Sequence, residues 1–138
     1  MIRAALLVTV AAAAIVALNY RPAITGPAYT IDGDTIAIGR TQIRLGGVDA
    51  PELSMAGGMR SREVMREIVG GQEVTCVPNG DRSYNRVISI CHLPDGTDIG
   101  RELIRRGLAL DCAHFSGGRY RNDEPAGVRQ RLTQARYC

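Results

Sequence analysis

Two short runs of alternating apolar residues, DTIAI and TQIRLGGV, are separated only by Gly39 and Arg40. Alternation of period two with β-branched residues marks half-buried strands, and a glycine between two such runs marks a tight reversal. A hairpin therefore sits near the start of the folded part of the chain. A turn at Arg40–Thr41 would place Asp34 across from Gly47, with Asp49 two residues further along. Carboxylates then crowd one end of the hairpin: Asp32, Asp34, Asp49 and Glu52. Neighbouring carboxylates repel unless something positive sits between them. With neither His nor Cys nearby, an all-oxygen donor set points to a hard cation, Ca²⁺ or Mg²⁺.

The remaining pattern extends the hairpin into a β-rich domain. YTID precedes it as a further strand. MRSREVMREIV puts Met59, Val64, Met65, Ile68 and Val69 at helical spacing before Gly70–Gly71. QEVTCV and NRVISICHL are rich in β-branched residues and flank PNGDRSYN, a hairpin turn. DIGRELIRRG predicts a helix capped by Asp98, with Leu103 and Ile104 inward and Gly107 as its stop. LALDC reads as a short strand, and a last helix is expected after Asn122 or Asp123, with Val128, Leu132 and Ala135 on one face. This order fits an α+β, β-rich fold: a small five-stranded barrel with about three packed helices.

The chain has 138 residues, the size of one domain, and a net charge of +3 that does not by itself point to a nucleic-acid partner. Its N-terminus carries Arg3 and then an uncharged apolar run from Ala4 to Leu18. That run is short for crossing about 30 Å of hydrocarbon and suits a signal peptide. Residues 1–18 are expected to be a cleaved signal or an uncleaved anchor, 19–28 a linker, and 29–138 the folded domain. The protein is then exported, either periplasmic or secreted, or tethered to the inner membrane by residues 4–18. Four cysteines, with no C-x-x-C spacing, agree with export and argue against zinc. Three pairings are open. The hairpin between Cys76 and Cys91 favours 76–91, which leaves Cys112 for Cys138.

D-G-D-T, R-L-G-G-V-D-A-P-E, D-R-S-Y-N-R and I-G-R-E-L-I-R-R-G-L-A-L, in this order, resemble the thermonuclease (staphylococcal nuclease-like) family over residues 29–137. The resemblance implies a five-stranded OB-fold barrel and Ca²⁺-dependent hydrolysis of DNA or RNA. By match to the family, Asp34 and Asp49 are calcium-binding carboxylates and Ala50 supplies a backbone carbonyl, although the best-known member has Thr there. Asp32 acts near the metal through water, Glu52 is the general base, Arg44 and Arg86 hold phosphate, and Tyr84 lies beside the substrate. Two departures stand out: Ala113 replaces an aromatic residue beside the phosphate, with Phe115 available to compensate, and the loop after Glu52 is short. Arg119 and Arg121 follow Gly117–Gly118 on a loop that could touch a phosphate backbone. The expected substrate is single-stranded DNA or RNA, and the expected state a monomer. The alternatives are a non-catalytic OB module that binds nucleic acid, and an envelope-anchored hydrolase with a surface-polysaccharide or scavenging role.

Overall fold

The computed structural model describes residues 20–138, so the expected leader at residues 1–18 lies outside the described residues. Strands β1 (Ile24–Asp32), β2 (Thr35–Ile38), β3 (Thr41–Leu45), β5 (Glu73–Ser83) and β6 (Arg86–His92) close a barrel in the order β1-β2-β3-β6-β5. Strands β4 (Val48–Asp49) and β7 (Leu110–Asp111) form a separate two-stranded sheet. Helices α1 (Gly58–Val69) and α2 (Ile99–Arg105) are the longer pair, while α3 (Ala113–Ser116) and α4 (Val128–Arg131) are single turns. This mixed, β-rich architecture is consistent with an OB-like barrel. Among the described residues no helix is long and apolar enough to cross a membrane.

The hairpin turns two residues earlier in its register than the alternation suggests. Thr35 faces Arg44 and Ile38 faces Thr41, with Gly39 and Arg40 as the two-residue turn. Gly39 has φ +58°, a backbone state that glycine adopts without steric cost. Asp34 therefore lies beside Leu45, whose N–H donates to its carbonyl at 2.9 Å, and not across from Gly47. A shift of two preserves the faces, so Ile36, Ile43 and Leu45 still point into the core. Each such fully buried side chain contributes about 2 kcal/mol of transfer free energy.

Other boundaries move for identifiable reasons. The expected linker ends at residue 23, because β1 starts at Ile24 and pairs with β5 as far as Pro27, opposite Glu73. From Ala28 onward β1 pairs with β2, so Pro27 lies where the strand changes partners and a missing N–H costs little. PNGDRS belongs to β5 across a register shift, and the turn is only Tyr84–Asn85. In α1 the buried face carries Ser61 with Val64, Met65, Ile68 and Val69, whereas Met59 is half exposed. The Asp98 carboxylate caps α2 by accepting N–H bonds from Gly100 and Arg101, as expected.

The long final helix does not form. Helix α4 ends at Leu132, which is extended, and Ala135 donates its N–H to Asp49. A continuing helix would have sent that N–H to the carbonyl four residues back. Asp123 caps nothing and instead accepts from Arg101 and Arg105 of α2. Of Val128, Leu132 and Ala135, only Val128 is buried.

Cys76 and Cys91 stand directly opposite each other on β5 and β6 and are bridged, and Cys112 is bridged to Cys138. These loops, with separations of 15 and 26 residues, should each stabilise the fold by about 3 kcal/mol in the chain-entropy model. Non-reducing peptide mapping of protein recovered from an oxidising compartment is expected to show both pairs. Four alkylatable thiols in that material would contradict the pairing and the export reading together.

Candidate active site

Arg44 sits on β3 with its side chain largely buried. Its Nη1 donates to the carbonyls of Val48 at 2.7 Å and Leu45 at 3.2 Å, and lies 3.1 Å from Asp34 Oδ2. This side of the guanidinium is fixed to the protein. Nη2 donates at 3.5 Å to the hydroxyl of Tyr137. Burial opposes the charge most strongly, but the Asp34 carboxylate, Tyr137 and Asp32 together outweigh it and hold the Arg44 pKa above its usual value.

Asp34 ends the turn after β1. Its Oδ2 accepts the Ala50 N–H at 2.9 Å, which ties the carboxylate to the peptide that follows Asp49. Its Oδ1 accepts from the Thr35 hydroxyl at 3.3 Å, and its own N–H donates to Asp32 Oδ1 at 3.1 Å. Burial pushes the Asp34 pKa up to about 7, with the Asp32 charge adding to the shift and Arg44 opposing it. Asp49 on β4 is also buried, and burial raises its pKa against the N–H bond from Ala135.

A raised carboxylate binds more protons in the folded state than in the unfolded chain between its two pKa values. The Asp34 contribution to stability is therefore largest below about pH 4 and is lost as pH rises toward 7. Each pH unit in that window is worth up to about 1.4 kcal/mol. Urea unfolding in chelator should show this loss in the wild type relative to Asp34→Asn. Parallel pH profiles for the two would contradict the environment described for Asp34.

Arg86 opens β6. It donates from Nε to the Ser83 carbonyl, from Nη2 to Ser83 Oγ at 2.8 Å and from Nη1 to Thr35 Oγ1 at 3.1 Å. Thr35 thereby links Arg86 to Asp34, and through Asp34 to Arg44. Sequence reasoning assigned Thr35 no role, although it is the T of D-G-D-T. Three of the five guanidinium N–H groups of Arg86 are engaged within the protein, leaving two for a ligand. Tyr84, at the tip of the β5–β6 turn, is almost fully exposed with φ +57°, and its ring centroid is 6.0 Å from the Arg86 guanidinium carbon.

Glu52 is exposed on the loop between β4 and α1. A Cβ at Gly58 would lie 1.9 Å from the Glu52 carbonyl oxygen, so only glycine lets α1 begin against that loop. A groove of about 1040 Å³ is lined by Arg44, Glu52, Tyr84, Arg86, Phe115 and Tyr137, among others. Arg119 also lines it, whereas Arg121 pairs with Glu124. Asp34, Asp49 and Ala50 are not among the residues lining this groove; Arg44, which lines it, pairs with Asp34. Asp111, fully buried on β7, supports the loop that carries Phe115 by accepting from the Ser116 hydroxyl and the Tyr120 N–H. Neither Asp111 nor Tyr137 carried a sequence signal, and the partner of Tyr137, Arg44, lies 93 residues away.

Residues 42–136 match the family model described as staphylococcal nuclease homologue. Among curated proteins, the chain is 35% identical over 108 residues to the succinoglycan biosynthesis protein ExoI of Rhizobium meliloti, covering 70% of this chain and 56% of that one. It is 32% identical over 83 residues to an uncharacterized endonuclease of Escherichia coli, covering 57% and 54%. A similarly named protein of Haemophilus influenzae is 28% identical over 90 residues, covering 62% and 50%. The chain thus spans about half the length of the curated relatives it matches.

Proposed function

This chain belongs to the staphylococcal nuclease homologue family, and on that premise we propose that it is an exported, calcium-dependent nuclease that hydrolyses DNA or RNA. The observation that carries the reading is the convergence of Arg44, Arg86 and Glu52 on one groove from β3, β6 and the β4–α1 loop.

The donor set fits a hard divalent cation. Asp34 and Asp49 are buried carboxylates held in place by backbone N–H groups, and the Ala50 carbonyl belongs to the residue whose own N–H bonds Asp34. The upward shift at Asp34 comes mainly from burial, with the Asp32 charge adding to it, and a bound cation would stabilise this poorly solvated carboxylate in its charged form. Among the described residues no three His, Cys, Asp or Glu side chains cluster, and Asp34, Asp49 and the Ala50 carbonyl would hold the ion together with water. Asp32 acts through such water. Asp34, Asp49 and the Ala50 carbonyl would hold such a cation, which would supply charge neutralisation to the phosphodiester and lower the pKa of a bound water.

The protein's own groups do the rest. Glu52 accepts the proton from water as the water oxygen attacks phosphorus. The P–O bond to one sugar oxygen breaks, and that oxygen leaves as an alcohol, its proton coming from solvent. Arg44 and Arg86 donate to the phosphoryl oxygens, where charge grows in the transition state. Their fixed guanidinium planes incur little reorganisation at that moment, because Val48, Leu45, Ser83 and Thr35 already orient them. Tyr84 stands beside Arg86 at the groove edge, where it would touch the substrate. The disulfides are consistent with an oxidising compartment.

With so few protein ligands, half-saturation is expected at millimolar-scale Ca²⁺, with Mg²⁺ a poor substitute because it demands stricter octahedral geometry. Asp34→Ala and Asp49→Ala should each mimic chelation in a calcium titration of DNA cleavage. Undiminished cleavage by both variants would overturn the metal assignment.

A further inference from the structure

Three contacts bring the C-terminal segment onto this site. The Ala135 N–H donates to Asp49 Oδ2 at 2.8 Å. Gln134 Nε2 donates at 2.8 Å to the carbonyl of Asp111, the residue paired with Val48 across the small sheet. The Tyr137 hydroxyl accepts from Arg44 Nη2 at 3.5 Å, on the side of the guanidinium that the protein otherwise leaves free. The segment from Leu132 onward has no helix or strand to hold it. Its last residue is bridged instead to Cys112, at the start of α3, which carries Phe115.

The bridge places two aromatic rings together. Phe115 and Tyr137 meet edge to face with centroids 6.2 Å apart, and each remains more than half exposed on the groove wall. Half-exposed aromatic rings beside a cationic groove suit an unstacked nucleobase whose phosphate lies on arginine.

We propose that Tyr137 is a substrate-binding and positioning residue of this site, delivered from the C-terminus by the Cys112–Cys138 bridge. With Phe115 it forms the stacking wall for a base of a single strand, while its hydroxyl steadies the outer edge of Arg44. The proposal rests on the nuclease reading for its substrate class.

The test uses the full chain, a fluorescently labelled single-stranded DNA oligonucleotide, steady-state cleavage in Ca²⁺ and fluorescence anisotropy in chelator. Tyr137→Ala should raise KM, and weaken binding in chelator, by about tenfold or more, the scale of one lost base–aromatic stack, with a smaller change in kcat. Tyr137→Phe should restore KM, because the ring remains. The paired substitution Cys112→Ser/Cys138→Ser should raise KM as Tyr137→Ala does, and adding Tyr137→Ala to it should change little more. Thermal unfolding shows whether each variant is folded at the assay temperature, and assays below the lowest midpoint keep the comparison valid. A Tyr137→Ala chain with wild-type KM and affinity overturns the role of Tyr137. A tenfold effect of Tyr137→Ala with none from removing the bridge overturns delivery by the disulfide. Should the wild type bind the oligonucleotide without cutting it, the nuclease reading fails by itself. The anisotropy ratio between wild type and Tyr137→Ala still decides the tail's role.

Discussion

Glu52→Gln is expected to lower the rate of phosphodiester cleavage by roughly 10²–10⁴, the range attributed to a positioned general base. The substitution keeps the size and hydrogen-bonding reach of the side chain. It leaves the Asp34–Ala50 and Asp49–Ala135 contacts untouched, so calcium binding should change little. Folding should also survive, because Glu52 is exposed and its structural role is played by its backbone carbonyl. The check is a pH–rate profile of both proteins at saturating Ca²⁺. A Gln variant within a factor of about two of wild type would be incompatible with the base assignment.

Arg44→Lys and Arg86→Lys should each lower kcat by about two orders of magnitude or more, on the scale of a lost oxyanion donor. A lysine keeps the charge but not the fork. At position 44 a single ammonium cannot satisfy Asp34 and the two carbonyls while also donating toward the groove. At position 86 it cannot span Ser83 and Thr35 with groups left over for phosphate. The Thr35 and Asp34 bridge joins the two arginines, so the double variant should lose less than the product of the single effects. Steady-state kinetics of the two single variants and the double variant, with circular dichroism to confirm folding, would measure this. Full multiplicativity would mean that the arginines act independently.

Local rules made much of the fold legible. The two-residue period fixed which faces of β2 and β3 are buried, and Asp98 announced the start of α2 through an N-cap that needs only its own neighbours. The expectation failed where tertiary bonds outweighed spacing. Val128, Leu132 and Ala135 have helical spacing, yet the Ala135 N–H bonds Asp49, 86 residues earlier. PNGDRS has turn composition, yet β6 holds it in the sheet across an irregular register. The same distinction runs through the site. Arg44, Glu52, Arg86, Asp34 and Asp49 are recognisable because the D-G-D-T, R-L-G-G-V-D-A-P-E and D-R-S-Y-N-R strings carry them. The link from Arg86 to Thr35 spans 51 residues and that from Arg44 to Tyr137 spans 93, and no local pattern encodes either.

The most direct measurement is incubation of the purified protein with single-stranded DNA in Ca²⁺ and, separately, in excess chelator, following both binding and strand cleavage. The account predicts cleavage in Ca²⁺ that chelator abolishes and added Ca²⁺ restores. Tight binding with the strand left intact under both conditions would contradict it. The groove would then belong to a non-catalytic nucleic-acid-binding module.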